Sequence, residues 1–196
     1  MLLVPHLVIR VVSMSMADLT DLPDEFDEKK RTCRVIIETP KGSRNKFAYD
    51  PETALFTLTG LLPEGMLFPF DFGFVPSTQG EDGDPLDVLV LMDAPAHVGC
   101  LVDVRLIGII RAEQSENGKK ESNDRLLAVA VHSYQHEDLR SIRDVSESLL
   151  SQVEEFFVSY NKQRGKKFTI RETGGPNQAV KALKNGIRAH KGVKAK

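Results

Sequence analysis

Between Lys46 and Arg105 the chain contains no lysine and no arginine. Asp82, Asp84 and Asp87 fall inside that gap, so no basic residue nearby in sequence can neutralise them. Cysteine is almost as scarce. Cys33 and Cys100 have no CxxC spacing and no companion histidine cluster, which fits a reducing cytoplasm better than a disulfide framework. Both thiols are expected in the core. Long apolar runs are missing as well: the opening MLLVPHLVIRVV is too short to cross a bilayer and lacks the basic start and cleavage site of a secretory signal. No membrane partner is therefore expected. Neither charge is in large excess, with a formal net charge of -2, which argues against a broadly basic nucleic-acid-binding surface.

A chain of 196 residues corresponds to a single domain with peripheral elements, at roughly 150 residues per domain. Residues 1–16 read as a loosely attached extension, 17–190 as the domain, and 191–196 as a frayed basic tail. Charge is segregated along this length. Acids dominate the centre, whereas Lys and Arg gather between Lys41 and Lys46, between Lys162 and Arg171, and at the end. A cation-binding centre fringed by anion-binding groups suits a metal and phosphate ligand.

The centre is Gly80-Glu81-Asp82-Gly83-Asp84-Pro85-Leu86-Asp87, running directly into Val88-Leu89-Val90-Leu91. Two carboxylates about 5 Å apart at an effective dielectric near 20 repel by roughly 3 kcal/mol. Pro85 fixes one backbone torsion between Asp84 and Asp87, which limits how far they can splay. Hard divalent cations bind such oxygen clusters, and Mg²⁺ in particular combines one or two carboxylates with waters and substrate phosphates.

The surrounding pattern is mainly β with late helices. Thr32 to Glu38 alternates as a strand, and Lys46 to Tyr49 reads as its hairpin partner, placing Glu38 and Lys46 together. Ala54 to Leu62 is a further apolar segment, and the aromatic run Phe68 to Phe74 reads as core rather than as a stacking platform for bases. Val88 to Met92 is a strand buried on both faces. Cys100 to Arg105 and Leu106 to Arg111 read as two strands, Glu113 to Asn123 as a polar loop, and Leu126 to Val131 as another strand. Many short strands without alternating helices point to a closed or partly closed β-barrel. Asp144 and Glu147 form a candidate capping box before a helix whose apolar stripe includes Val153, Phe156, Phe157 and Tyr160. Gly174-Gly175-Pro176 opens a second helix.

GEDGDPLDVLVL resembles the D-x-D-P-x-D-V signature of family I soluble inorganic pyrophosphatases. IIETPKGSRNK, FPFDFGFVP and EEFFVSYNK extend the resemblance from about Val35 to the second helix. It implies an α+β fold: an OB-like five-stranded barrel with two C-terminal helices packed outside. The implied reaction is Mg²⁺-dependent hydrolysis of pyrophosphate to two phosphates, with more than one ion bound. By motif position Asp82 and Asp87 bind metal, Asp84 accepts the proton of the attacking water, and Glu38 holds an outer metal. Lys46, Arg125 and Tyr160 contact phosphate. The resemblance also implies a homo-oligomer in the cytoplasm, with pyrophosphate or phosphate as its ligand and no nucleic acid.

The chain departs from that pattern around the motif. Ala48 stands where the family has a second Glu, Thr59-Gly60 where it has a phosphate-binding Arg, and Phe72 where it has Tyr. Gln114 and Asn123 replace carboxylates, Arg125 replaces Lys, and Asn161 replaces Lys. Glu113, Glu116 or Asp124 could replace a lost carboxylate, and Arg44, Lys162 or Lys166 a lost cation. The competing reading in the same fold is a weakly active or non-catalytic protein that binds divalent metal and phosphate. A Ca²⁺ module is disfavoured because Asp87 and Asp93 stand where an EF-hand needs Gly and Glu. A haloacid-dehalogenase-like phosphatase is disfavoured because Asp82 follows Ser77-Thr78-Gln79-Gly80 rather than a buried strand. If residues before Met16 are only an extension, deleting them will leave the thermal unfolding midpoint unchanged; a large drop would make them part of the fold.

Overall fold

Five strands close into a ring in the computed structural model, which describes residues 18–194. β1 (Thr32–Thr39) pairs antiparallel with β4 (Asp71–Val75), and β4 pairs antiparallel with β5 (Leu86–Leu91). β5 runs parallel beside β8 (Arg125–Ala130), β8 lies antiparallel to β6 (Leu101–Glu116), and β6 returns to β1. The expected five-stranded barrel is therefore present. The extension expected over residues 1–16 lies outside the described residues.

The remaining elements hang on this ring. β7 (Lys119–Ser122) and β9 (Lys167–Gly174) pair with β6. β2 (Asn45–Asp50) and β3 (Leu55–Leu61) form a separate two-stranded sheet. α1 (Glu147–Gln163) packs against β9 and α2 (Pro176–Lys194) against β6, and the two faces of β5 belong to different apolar clusters, each closed by one of these helices. Val88 and Val90 join the cluster containing Ala179 and Leu183 of α2, while Leu89 and Leu91 join the one containing Phe156 and Phe157 of α1. A strand covered on both faces has no polar side to show, hence its unbroken apolar run.

Several sequence expectations are corrected. β1 does not form a hairpin ladder with β2. The two meet through side chains, with Thr39 Oγ1 bonding both the N–H and the carbonyl of Phe47 at 3.0 Å. In place of two strands over Cys100 to Arg111, Leu101–Glu116 is one strand bent by register shifts, because bulges at Leu106/Gly108 and Arg111/Ala112 let it follow the ring. The polar stretch 113–123 is a β6–β7 hairpin turned by Asn117-Gly118, both at positive φ. Asp144 closes a capping box with Ser141 on a preceding 3-10 turn, whereas Ser146 caps α1. Cys100 is exposed, while Cys33 is buried as expected. The tail expected to fray is helical through Lys194, which pairs with Asp21 at 2.5 Å.

Ring closure depends on close backbone approach at Gly73, which faces Ile37 in the β1–β4 ladder. A Cβ at Gly73 would lie 1.9 Å from the Ile36 carbonyl oxygen. Gly73→Ala should therefore cost upwards of about 3 kcal/mol by urea denaturation, since backbone must move to admit the methyl group. A loss under about 0.5 kcal/mol, the usual scale for a neutral surface change, would contradict that constraint.

Candidate active site

The acidic turn is held by its own hydrogen bonds as well as by Pro85. Gly80 N–H donates to the Asp84 carbonyl at 2.7 Å, Asp84 N–H to Asp82 Oδ1 at 3.2 Å, and Gln79 Nε2 to the Gly83 carbonyl at 3.1 Å. Thr78 Oγ1 receives the Leu86 N–H at 3.0 Å, and Gln79 N–H reaches the Gly186 carbonyl of α2 at 3.0 Å. The turn is thus pinned at the mouth of β5 between barrel and helix.

It opens on a cavity of about 670 Å³ lined by all seven residues singled out from the sequence: Glu38, Lys46, Asp82, Asp84, Asp87, Arg125 and Tyr160. Glu38, near the end of β1, is buried and accepts the Tyr49 N–H at 2.7 Å. Burial pushes its carboxyl up to about 7, against the pull of that hydrogen bond. Burial also raises Asp82 and Asp87, with Arg125 and then Lys46 opposing the rise at Asp87. These are hard oxygen donors that a cation would relieve. Among the described residues, however, no three His, Cys, Asp or Glu side chains stand close enough together to hold one ion.

The apparent isolation of the acidic motif in sequence does not survive folding. Arg125 Nη1 lies 2.6 Å from Asp87 Oδ2. The parallel ladder pairs Val88 with Leu126, so Asp87 and Arg125 precede matched positions. The guanidinium lies 5.7 Å from the Phe72 ring centroid and 5.6 Å from that of Phe157, and Lys46 Nζ lies 5.6 Å from that of Phe72. The Phe72 ring face thus serves two cations at the position where a Tyr was expected. Gln114 and Asn123, in place of carboxylates, join side chain to side chain at 2.8 Å, and Asn123 Oδ1 accepts from Arg125 Nη1.

Most of the suggested replacements point elsewhere. Glu113 pairs with Arg171 at 2.9 Å and Lys120 at 3.1 Å, and Asp124 with Arg111 at 2.6 Å. Arg44 is tied to Glu64 and the Leu62 carbonyl. Lys166 does line the cavity, although it pairs with Glu116 at 2.9 Å. Glu121 and Arg164 are among the lining residues that the sequence did not single out. Glu121 faces Gln114 across the β6–β7 ladder, a register visible only once the hairpin is recognised. Arg164 follows Tyr160 by one helical turn, a spacing that could have located it. It donates from Nη1 to Tyr160 Oη.

The pattern of the inorganic pyrophosphatase family matches residues 35–191. The inorganic pyrophosphatase of Thermus thermophilus is 36% identical over 152 residues, covering 78% of this chain and 84% of that protein. The inorganic pyrophosphatase of Streptomyces coelicolor is 44% identical over 126 residues, covering 64% and 75%. A crystal structure of inorganic pyrophosphatase from Thermus thermophilus superposes with a TM-score of 0.82 at 31% identity, covering 89% of this chain and 99% of that one. A barrel with this acidic turn at its mouth, matched over most of its length in sequence and shape, belongs to the inorganic pyrophosphatase family.

Proposed function

We propose that this protein hydrolyses inorganic pyrophosphate to two phosphates with the help of divalent cations, Mg²⁺ in particular and more than one per site. The observation that carries the reading is the convergence of Glu38, Asp82, Asp84 and Asp87 with Lys46 and Tyr160 on one cavity. Carboxylates suit hard cations and the cationic groups suit phosphate oxygens, so the lining matches a metal–pyrophosphate complex. The donor set fits in chemistry: Asp82, Asp87 and Glu38 would hold the ions, with Asp87 shared between an ion and Arg125. Bound there, the cations acidify water and offset charge on the phosphates.

The remaining roles belong to the chain itself. Asp84 accepts the proton of the attacking water. Lys46 supplies positive charge and has no carboxylate partner within 4.0 Å among the described residues. Tyr160 accepts from Arg164, which leaves its own hydroxyl proton free for a phosphate oxygen. Arg125 holds Asp87 through Nη1, so its first role is to orient that carboxylate, and phosphate contact falls to the rest of the guanidinium.

Full-length protein should release phosphate from Mg-pyrophosphate, stop when the metal is chelated, and lose at least about a hundredfold in kcat in Asp84→Asn, the scale of a lost general base. No release with any of several divalent metals would overturn the activity. Full activity in Asp84→Asn would overturn its role as base.

Glu38 generates a separate expectation. Its carboxyl is raised from 4.5 to about 7, so the folded state holds this proton more tightly than the unfolded chain. Its contribution to stability is complete below about pH 4.5 and is lost as pH rises through about 7. In metal-free protein the loss should reach on the order of 3 kcal/mol. Urea titrations in chelator across that window should show the wild type weakening relative to Glu38→Gln. Parallel pH profiles for the two proteins would rule the effect out.

A further inference from the structure

Arg164 is an unexplained cation in this cavity. It lies just beyond α1, where the ordinary role of an arginine is to complement the negative end of the helix dipole from solvent. Here it folds back over the helix instead. Its guanidinium carbon stands 5.4 Å from the Tyr160 ring centroid, Nη1 bonds the Tyr160 hydroxyl, and the side chain lines the same cavity as Lys46 and the acidic turn.

What it reaches is Gly60 on β3. A Cβ built on Gly60 would find Arg164 Nη1 at 3.7 Å and Lys46 Cβ at 3.9 Å as its neighbours. A guanidinium delivered from another element therefore lies in contact with the place where a side chain at position 60 would begin. Neither Arg164 nor Lys46 has a carboxylate within 4.0 Å among the described residues, although carboxylates line the same cavity. Arg164 lies beside Gly60, and Lys46, the cross-strand partner of Gly60, sends its ammonium over the Phe72 ring. Both cations line one cavity without an ion pair, which suits an anion. The planar fork of an arginine matches two oxygens of a phosphate.

We propose that Arg164, crossing from the end of α1 to Gly60, is a phosphate-binding group of this cavity and, with Lys46, makes its anion-holding corner. This rests on the pyrophosphate reading above and adds a residue that binds the reacting phosphate. Thr59 and Gly60 bring no cation of their own, and the Thr59 hydroxyl is turned to the Lys46 carbonyl at 3.3 Å. Tyr160 is then both a ligand and a strut: accepting from Arg164 fixes the guanidinium and aims the phenolic proton at the same anion.

The test uses the full chain and two probes, inorganic phosphate and non-hydrolysable imidodiphosphate, titrated calorimetrically without turnover. Arg164→Ala should weaken both by about tenfold, the scale of one charge-assisted hydrogen-bonded contact, and Arg164→Lys by less. In turnover, Arg164→Ala should raise KM for Mg-pyrophosphate by a similar factor while kcat falls less. Placing the cation back on the strand, in Gly60→Arg combined with Arg164→Ala, should recover part of the affinity. Unchanged phosphate affinity in Arg164→Ala, or no phosphate binding by the wild type, would overturn the proposal. Because binding is read without hydrolysis, an inactive wild type that still binds phosphate through Arg164 would sink the pyrophosphatase reading and leave this one standing.

Discussion

The ion pair between Asp87 and Arg125 ties the chemistry of this molecule to its architecture. Asp87 is the first acid of β5 and Arg125 the first residue of β8, and the parallel register of those strands brings them to 2.6 Å at one end of the barrel. The guanidinium is in turn wedged between Phe72 of β4 and Phe157 of α1. One contact thereby connects three strands and a helix. Removing Arg125 would leave the partly buried Asp87 carboxylate without its counter-charge. The acidic motif is therefore part of the fold as well as part of the site.

The same pair changes how the acidic centre is neutralised. Gln114 and Asn123 satisfy each other, and Asn123 passes a hydrogen bond to Arg125. A run of neutral amides ending in a guanidinium has no need of a metal ion. Asp82, Asp84 and Glu38 line the same cavity without an ion pair within 4.0 Å among the described residues. Burial has already raised Glu38 and Asp82 above their ordinary range.

What the sequence made legible was local. The apolar run at Val88, the aromatic density from Phe68 to Phe74 and the helical stripe through Phe156 and Phe157 each declare burial by periodicity or composition, and the acidic turn declares its chemistry by crowding. Features that depend on register between distant segments were not legible. The missing partner of Asp87 lay thirty-eight residues downstream, on a strand that reads as featureless apolar sequence. Glu121 enters the cavity only because Asn117-Gly118 turns the polar stretch back on itself. The β1–β2 hairpin was misread because two alternating segments joined by a turn look alike whether they share a ladder or only touch through Thr39 and Glu38.

The sheet that carries Lys46 has a consequence of its own. β2 and β3 share no ladder with the ring, and Leu55, Leu58 and Leu61 of β3 are largely exposed. Arg164 likewise stands beyond the last turn of α1. The acidic turn and Glu38 are thus anchored to strands of the ring, while Lys46 and Arg164 of the same cavity are mounted on outlying parts. A substitution on β3 or at the end of α1 therefore reshapes one wall of the cavity while leaving every ladder of the five-stranded ring in place.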